Sequence, residues 1–90
     1  MICKVFVVNN RLGLHGRAAG KFVRIASRFK SDVKLSRMGN GPTVDGKSIL
    51  EILTLAARQG TSLQMMIQGK DELETLEALR SLVDSNFGET

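Results

Sequence analysis

The chain has 90 residues with one cysteine, Cys3, and one histidine, His15, which excludes an intrachain disulfide and a Cys/His metal cluster; no metal or cofactor is expected. An apolar fraction of 42% and a charged fraction of 24% are those of an ordinary globular protein, and the length suits one domain over residues 1–90. A net charge of +4 favours acidic or phosphate-bearing partners, while four Phe without Trp or Tyr make a small basic nucleic-acid module the weaker alternative. The longest apolar run covers only residues 5–8, so neither a membrane span nor a secretory leader is read, and a cytoplasmic protein is expected.

The first predicted element is a strand over residues 2–8, β-branched and apolar on both alternating faces. After a polar loop a helical pattern runs over residues 16–29, where Ala18, Phe22, Ile25, Ala26 and Phe29 recur at three- and four-residue steps. Residues 32–37 alternate, with Val33 and Leu35 on one face, and read as a strand. Residues 38–42 are turn chemistry, and a short strand is expected over 43–45. A second helix starts at Ser48, carries Ile49, Leu50, Ile52, Leu53 and Leu55, and stops by Gly60. Residues 62–68 alternate again, with Leu63, Met65 and Ile67 inward. Asp71 reads as the N-cap of the last helix with Glu74 three residues on, Leu73, Leu76, Leu79 and Val83 face inward, and Gly88 follows the end.

The order β-α-β-β-α-β-α with alternating strands predicts an α+β fold, helices packed on one face of an antiparallel sheet. Val5, Val7 and Met66 then lie on the uncovered face, as a small exposed patch or a self-association surface. A monomer is expected.

The stretch "GPTVDGKS", residues 41–48, matches the phosphate-binding loop pattern of nucleotide-hydrolysing enzymes at every fixed position. The context argues against that use. Such a loop follows a buried strand directly and sits in a parallel sheet, whereas here Met38, Gly39 and Asn40 intervene and no later aspartate is free to hold magnesium. The alternative assigns Gly39 and Gly41 to a hairpin turn, Gly46 to the exit from a strand, and Ser48 with Glu51 to a helix capping box.

The candidate phosphate chemistry lies instead at His15, in "RLGLHGRAAGKF". His15 stands at or just before a helix N-cap, where unpaired N–H groups and the helix dipole attract an anion. Arg17 follows two residues on, and Arg17, Lys21, Arg24 and Arg28 form a basic stripe opposite the apolar face. The plain alternatives are a surface loop histidine and a solvated helix face. A helix N-terminus and an arginine both disfavour an imidazolium, and a neutral ring nitrogen is a nucleophile whose surroundings would stabilise an attached phosphoryl group.

"GLHGRAA" and the element order resemble the HPr family, the histidine-containing phosphocarriers of the phosphoenolpyruvate-dependent phosphotransferase system. So do "GKSILEILTLAARQG", residues 46–60, and the closing "SNFGE". The resemblance spans essentially the whole chain. It implies an open-faced β-sandwich of four antiparallel strands under three helices, and a phosphoryl carrier rather than a turnover enzyme. It implies that enzyme I phosphorylates Nδ1 of His15 and that an enzyme IIA-type protein receives the group, in sugar uptake or nitrogen-related regulation. Carried over by residue, Arg17 stabilises the phosphate, Ser48 is the position of a regulatory serine addressed by an HPr serine kinase/phosphorylase, and Ile49 and Leu50 are apolar docking contacts. The cationic docking residues expected beside them are Lys21, Arg24 and Arg28. Gly16 stands where the family usually has alanine and Ala18 where proline is common, so the first helical turn is less pre-organised. "RAA" with the "FGE" ending looks more like members from nitrogen-related or incomplete systems.

Overall fold

A computed structural model describes residues 1–39 and 41–89; the expected turn over 38–42 therefore includes one position, Asn40, outside the described residues. The elements are β1 (Ile2–Val7), α1 (Gly16–Ala26), β2 (Asp32–Arg37), β3 (Thr43–Asp45), α2 (Ile49–Leu53), β4 (Ser62–Gln68) and α3 (Glu72–Asp84), followed by a single 3-10 turn at Asn86–Gly88. The strands form one antiparallel sheet in the order β1-β4-β2-β3. Met65 on β4 sits between Lys4 and Leu35, and Ile67 between Ile2 and Val33.

The period of two along β4 delivers Leu63, Met65 and Ile67 to one face, where all three are buried. The helices cover that face and only that face, as expected. From α1 come Ala18, Ala19, Phe22 and Ala26, from α2 Ile52, and from α3 Thr75, Leu76 and Leu79. Phe22 and Phe87 are the bulkiest side chains wholly removed from water. On the opposite face Val5 and Val7 are exposed and Met66 partly so, which is the uncovered apolar patch that alternation implied.

Three helix details depart from the sequence reading. The first concerns where helices stop. α1 ends at Ala26 and not at 29, because the N–H groups of Arg28 and Phe29 bond back three residues, to Ile25 and Ala26, and tighten the chain into turns. α2 likewise ends at Leu53, well short of Gly60: Thr54, Leu55 and Ala56 bond back three residues, and Arg37 Nη1 takes the Leu55 carbonyl at 2.8 Å. The second is Leu73, expected inward but 66% exposed. At about 100° per residue it lies roughly 110° around α3 from the centre of the face made by Thr75, Leu76 and Leu79. The third is Asp71, which occupies the N-cap position but makes no capping bond. Its carboxylate accepts from the N–H groups of Lys30 and Ser31, each at 2.9 Å, and from the Ser31 hydroxyl, tying the α1–β2 turn to α3. Those bonds, the Ser31 hydroxyl first, lower its carboxyl to about 2. The reach back across the helix start comes from Glu72, to Gly69 N at 3.1 Å, and not from Glu74.

Every fixed position of "GPTVDGKS" is used structurally. A Cβ at Gly46 would stand 2.6 Å from Val33 Cγ1, so only glycine passes this close to β2. Lys47 Nζ donates to the Phe29 carbonyl at 2.8 Å and closes the end of α1 against the start of α2. Ser48 Oγ caps α2 by accepting from Glu51 N at 3.3 Å, while the Glu51 carboxylate reaches Asp45 N at 3.0 Å. Gly41 packs against Arg37, where an added Cβ would lie 3.2 Å from its Cβ. With an antiparallel sheet around it, this is a turn and a cap.

Candidate functional site

The loop between β1 and α1 is pinned to the segment after α2. Val8 O accepts from Gly60 N at 2.7 Å, and Leu14 N donates to Ala57 O at 2.8 Å while its side chain is buried. Gly13 turns the loop at φ +73, bonding back to Asn10 O at 3.1 Å; a Cβ there would meet Ala57 O at 2.6 Å. The chain thereby enters α1 with His15 as N-cap, in extended conformation, and Ala19 N bonds to His15 O at 2.7 Å. The expected N-cap placement holds.

The His15 ring is partly exposed, and its Nδ1 accepts from Arg17 N at 3.3 Å. The first-turn N–H groups of α1 have no intrahelical partners and carry the positive end of the helix dipole. The Arg17 guanidinium beside them is mostly in solvent. A ring nitrogen with a lone pair, a positive helix end and an exposed guanidinium therefore lie close together.

Sequence reading did not place Glu89. Its Oε2 lies 2.8 Å from His15 Nε2 and 3.9 Å from Arg17 Nε, and its Oε1 accepts from Asn10 Nδ2 at 2.9 Å. The Asn10 amide foremost, with His15 and Arg17, holds the Glu89 carboxyl below the usual carboxylate range against the opposing effect of burial. Glu89 arrives there because Asn86 and Phe87 both adopt left-handed backbone, at φ 55 and 58, and Phe87 is fully buried. Lys21 Nζ donates to the Phe87 carbonyl at 2.8 Å, so this member of the basic stripe already holds the turn that carries Glu89. Only the "SNFGE" ending signalled this region, and no spacing rule connects it with His15.

A cleft of about 420 Å³ beside the ring is lined by Arg11, Leu12, Arg17, Lys21, Gly88 and Glu89. Three cations face one carboxylate across it, a setting for an anion. Arg24 is exposed, roughly 10 Å beyond Arg17 along α1 at 1.5 Å per residue, and Arg28 is exposed past the helix end. On α2, Ile49 is partly and Leu50 almost fully exposed, and Ile49 reaches α1 where a Cβ on Gly20 would touch it at 4.0 Å. Leu12 and Leu53 add exposed apolar surface that the sequence did not single out, and with Leu14 and His15 they line a second hollow. Ser48 stands at the head of the same helix. No helix among the described residues is long and apolar enough to cross a membrane.

The family described as "PTS HPr component phosphorylation site" matches residues 2–85. A phosphocarrier protein HPr of Neisseria meningitidis serogroup A is 42% identical over 89 residues, covering 99% of this chain and 98% of that protein. One from Pseudomonas aeruginosa is 46% identical over 82 residues, covering 89% and 88%. The crystal structure of an HPr from Thermoanaerobacter tengcongensis superposes with a TM-score of 0.92 at 36% identity, covering 100% of this chain and 99% of that one. The chain belongs to the HPr family of phosphocarrier proteins.

Proposed function

We propose that His15 accepts a phosphoryl group from phosphorylated enzyme I and passes it to an enzyme IIA-type acceptor, in the cytoplasm, as a carrier with a phosphohistidine intermediate. The observation that carries this reading is Nδ1 of His15 at the N-terminus of α1, accepting from Arg17 N, with the largely exposed Arg17 guanidinium beside it to meet phosphoryl oxygens. Lys21, Arg24 and Arg28 steer an acidic partner, and the apolar contact is made by Ile49 and Leu50, extended by Leu12 and Leu53. Ser48 is the residue an HPr serine kinase/phosphorylase would modify. The IIA acceptor that discharges the protein decides whether it serves sugar uptake or nitrogen-related regulation.

Incubation with phosphoenolpyruvate and enzyme I, followed by intact mass, tests the reading. The expected adduct is acid-labile and base-stable, the behaviour of a phosphoryl group on an imidazole nitrogen as opposed to one on a serine or threonine oxygen. An acid-stable adduct, or full labelling of His15→Ala, would refute the assignment. Arg17→Glu should slow transfer strongly by placing a repulsive charge at the phosphate.

A further inference from the structure

We propose that Asn10 and Glu89 are positioning residues that lock His15 in its Nε2–H tautomer and so keep the Nδ1 lone pair ready for the phosphoryl group. The inference rests on the reading of His15 as acceptor and adds two residues to it. The links run Gly13 O, Asn10 Nδ2, Glu89, His15, Arg17 N, and each has one possible direction.

Asn10 Nδ2 lies 2.7 Å from Gly13 O and 2.9 Å from Glu89 Oε1. Both partners only accept, so the amide must turn its NH₂ to both, which fixes its orientation. Asn10 is 2% exposed and its Oδ1 has no hydrogen-bond partner among the described residues, so the buried side chain serves through its NH₂. Glu89, kept ionised in part by that NH₂, can only accept from His15 Nε2 at 2.8 Å. The proton of the neutral ring is therefore on Nε2. On the other side Arg17 N–H points at Nδ1 at 3.3 Å, which requires a lone pair there. Both ends of the ring specify the same tautomer.

The geometry argues against Glu89 as a plug. It engages the nitrogen that does not react and leaves Nδ1 to the long bond from Arg17 N alone, and at 3.9 Å its own contact with Arg17 is too long for a hydrogen bond. During transfer the Nδ1 lone pair gives up the Arg17 N–H and forms the N–P bond, while the bond from phosphorus to the donor breaks and its electron pair leaves with the donor; the released Arg17 N–H is then left for a phosphoryl oxygen. The proton stays on Nε2, and the positive charge gained by the ring faces the Glu89 carboxylate. Discharge returns the N–P electron pair to Nδ1 and regenerates the same tautomer with no proton moved.

The test is Glu89→Gln, read by ¹⁵N NMR of His15 at a pH where the ring is neutral, and by the rate of phosphorylation by enzyme I. Because Asn10 NH₂ claims the carbonyl of the new amide, the amide NH₂ must face Nε2, which then needs the lone pair. The expected result is a shift of the ring proton to Nδ1 and a rate lower by about 10–100-fold, taking as guide the effect of removing the residue that orients a metal-bound histidine. In Asn10→Ala/Glu89→Gln the amide is free to turn over, and both readouts should move back toward wild type. A Glu89→Gln protein that keeps Nε2–H, or that switches tautomer at an unchanged rate, overturns the proposal. So does absence of recovery in a double variant with the same thermal midpoint as Glu89→Gln. If enzyme I fails to label wild type, the acceptor assignment falls, while the tautomer measurement, which needs no partner, still judges the relay.

Discussion

Substituting Gly13 with alanine should disturb the site through its backbone alone. Gly13 sits at φ +73, and an added Cβ would lie 2.6 Å from Ala57 O and 3.0 Å from Arg58 Cα, both backbone atoms that cannot swing aside. Left-handed backbone costs alanine about 1–2 kcal/mol relative to glycine. Forcing the loop off the segment after α2 adds an overpacking cost of about 1–3 kcal/mol and strains the 2.8 Å bond from Leu14 N to Ala57 O. Gly60 is the internal control: its φ is +93, but a Cβ there meets nothing within 4 Å, so only the conformational cost applies. The gain from a stiffer unfolded chain is common to both variants and cancels in the comparison. Gly13→Ala should therefore be less stable than Gly60→Ala by about 1–3 kcal/mol in urea unfolding, a further fall in Tm of at least about 4 °C for a domain this size. Since Gly13 O also holds the Asn10 amide, Gly13→Ala should lose phosphorylation rate under conditions where it is still folded, whereas Gly60→Ala should not. Equal stability of the two variants, within about 0.5 kcal/mol, would refute the contact argument.

Asp71 makes stability acid-sensitive: its carboxyl is lowered from 3.8 to about 2, so its contribution is complete above about pH 4 and is lost as pH falls through about 2. The urea midpoint of Asp71→Asn should change less across that interval than that of wild type. Ser48→Ala should cost about 0.5–1 kcal/mol, the low end for a cap because its bond to Glu51 N is long at 3.3 Å, while His15 is still phosphorylated. Ser48→Asp should slow phosphorylation by enzyme I at least several-fold with the fold intact, by placing charge beside Ile49 and Leu50; equal kinetics at low and high salt would remove this surface from docking. Lys47→Ala should lose about 1 kcal/mol with its bond to Phe29 O, yet transfer phosphate normally and show no lost nucleotide affinity. Millimolar or tighter Mg-ATP binding that disappears in Lys47→Ala would revive the nucleotide reading of residues 41–48.

The features legible in the amino-acid order are local ones. The alternation of Leu63, Met65 and Ile67 set the buried face of β4, and the three- and four-residue steps from Ala18 to Ala26 set that of α1. Ser48 announced a cap, and the two-residue spacing of His15 and Arg17 put a ring nitrogen and a backbone N–H in reach of each other. Such features arise because strand and helix periods, turn conformations and cap bonds act over a few residues.

The tertiary structure alone decided the rest. It placed β4 in the middle of the sheet and drew the Asp71 carboxylate from its expected cap to Ser31, 40 residues away. It brought Glu89 to His15 across 74 residues and to Asn10 across 79. No short-range pattern encodes these meetings, since they depend on which buried anchors the packed core accepts. Phe87, wholly buried and with its carbonyl held by Lys21 of α1, carries Glu89 to the ring. The placement of that carboxylate, and with it the choice between the two ring nitrogens, follows from the burial of an aromatic side chain two residues earlier.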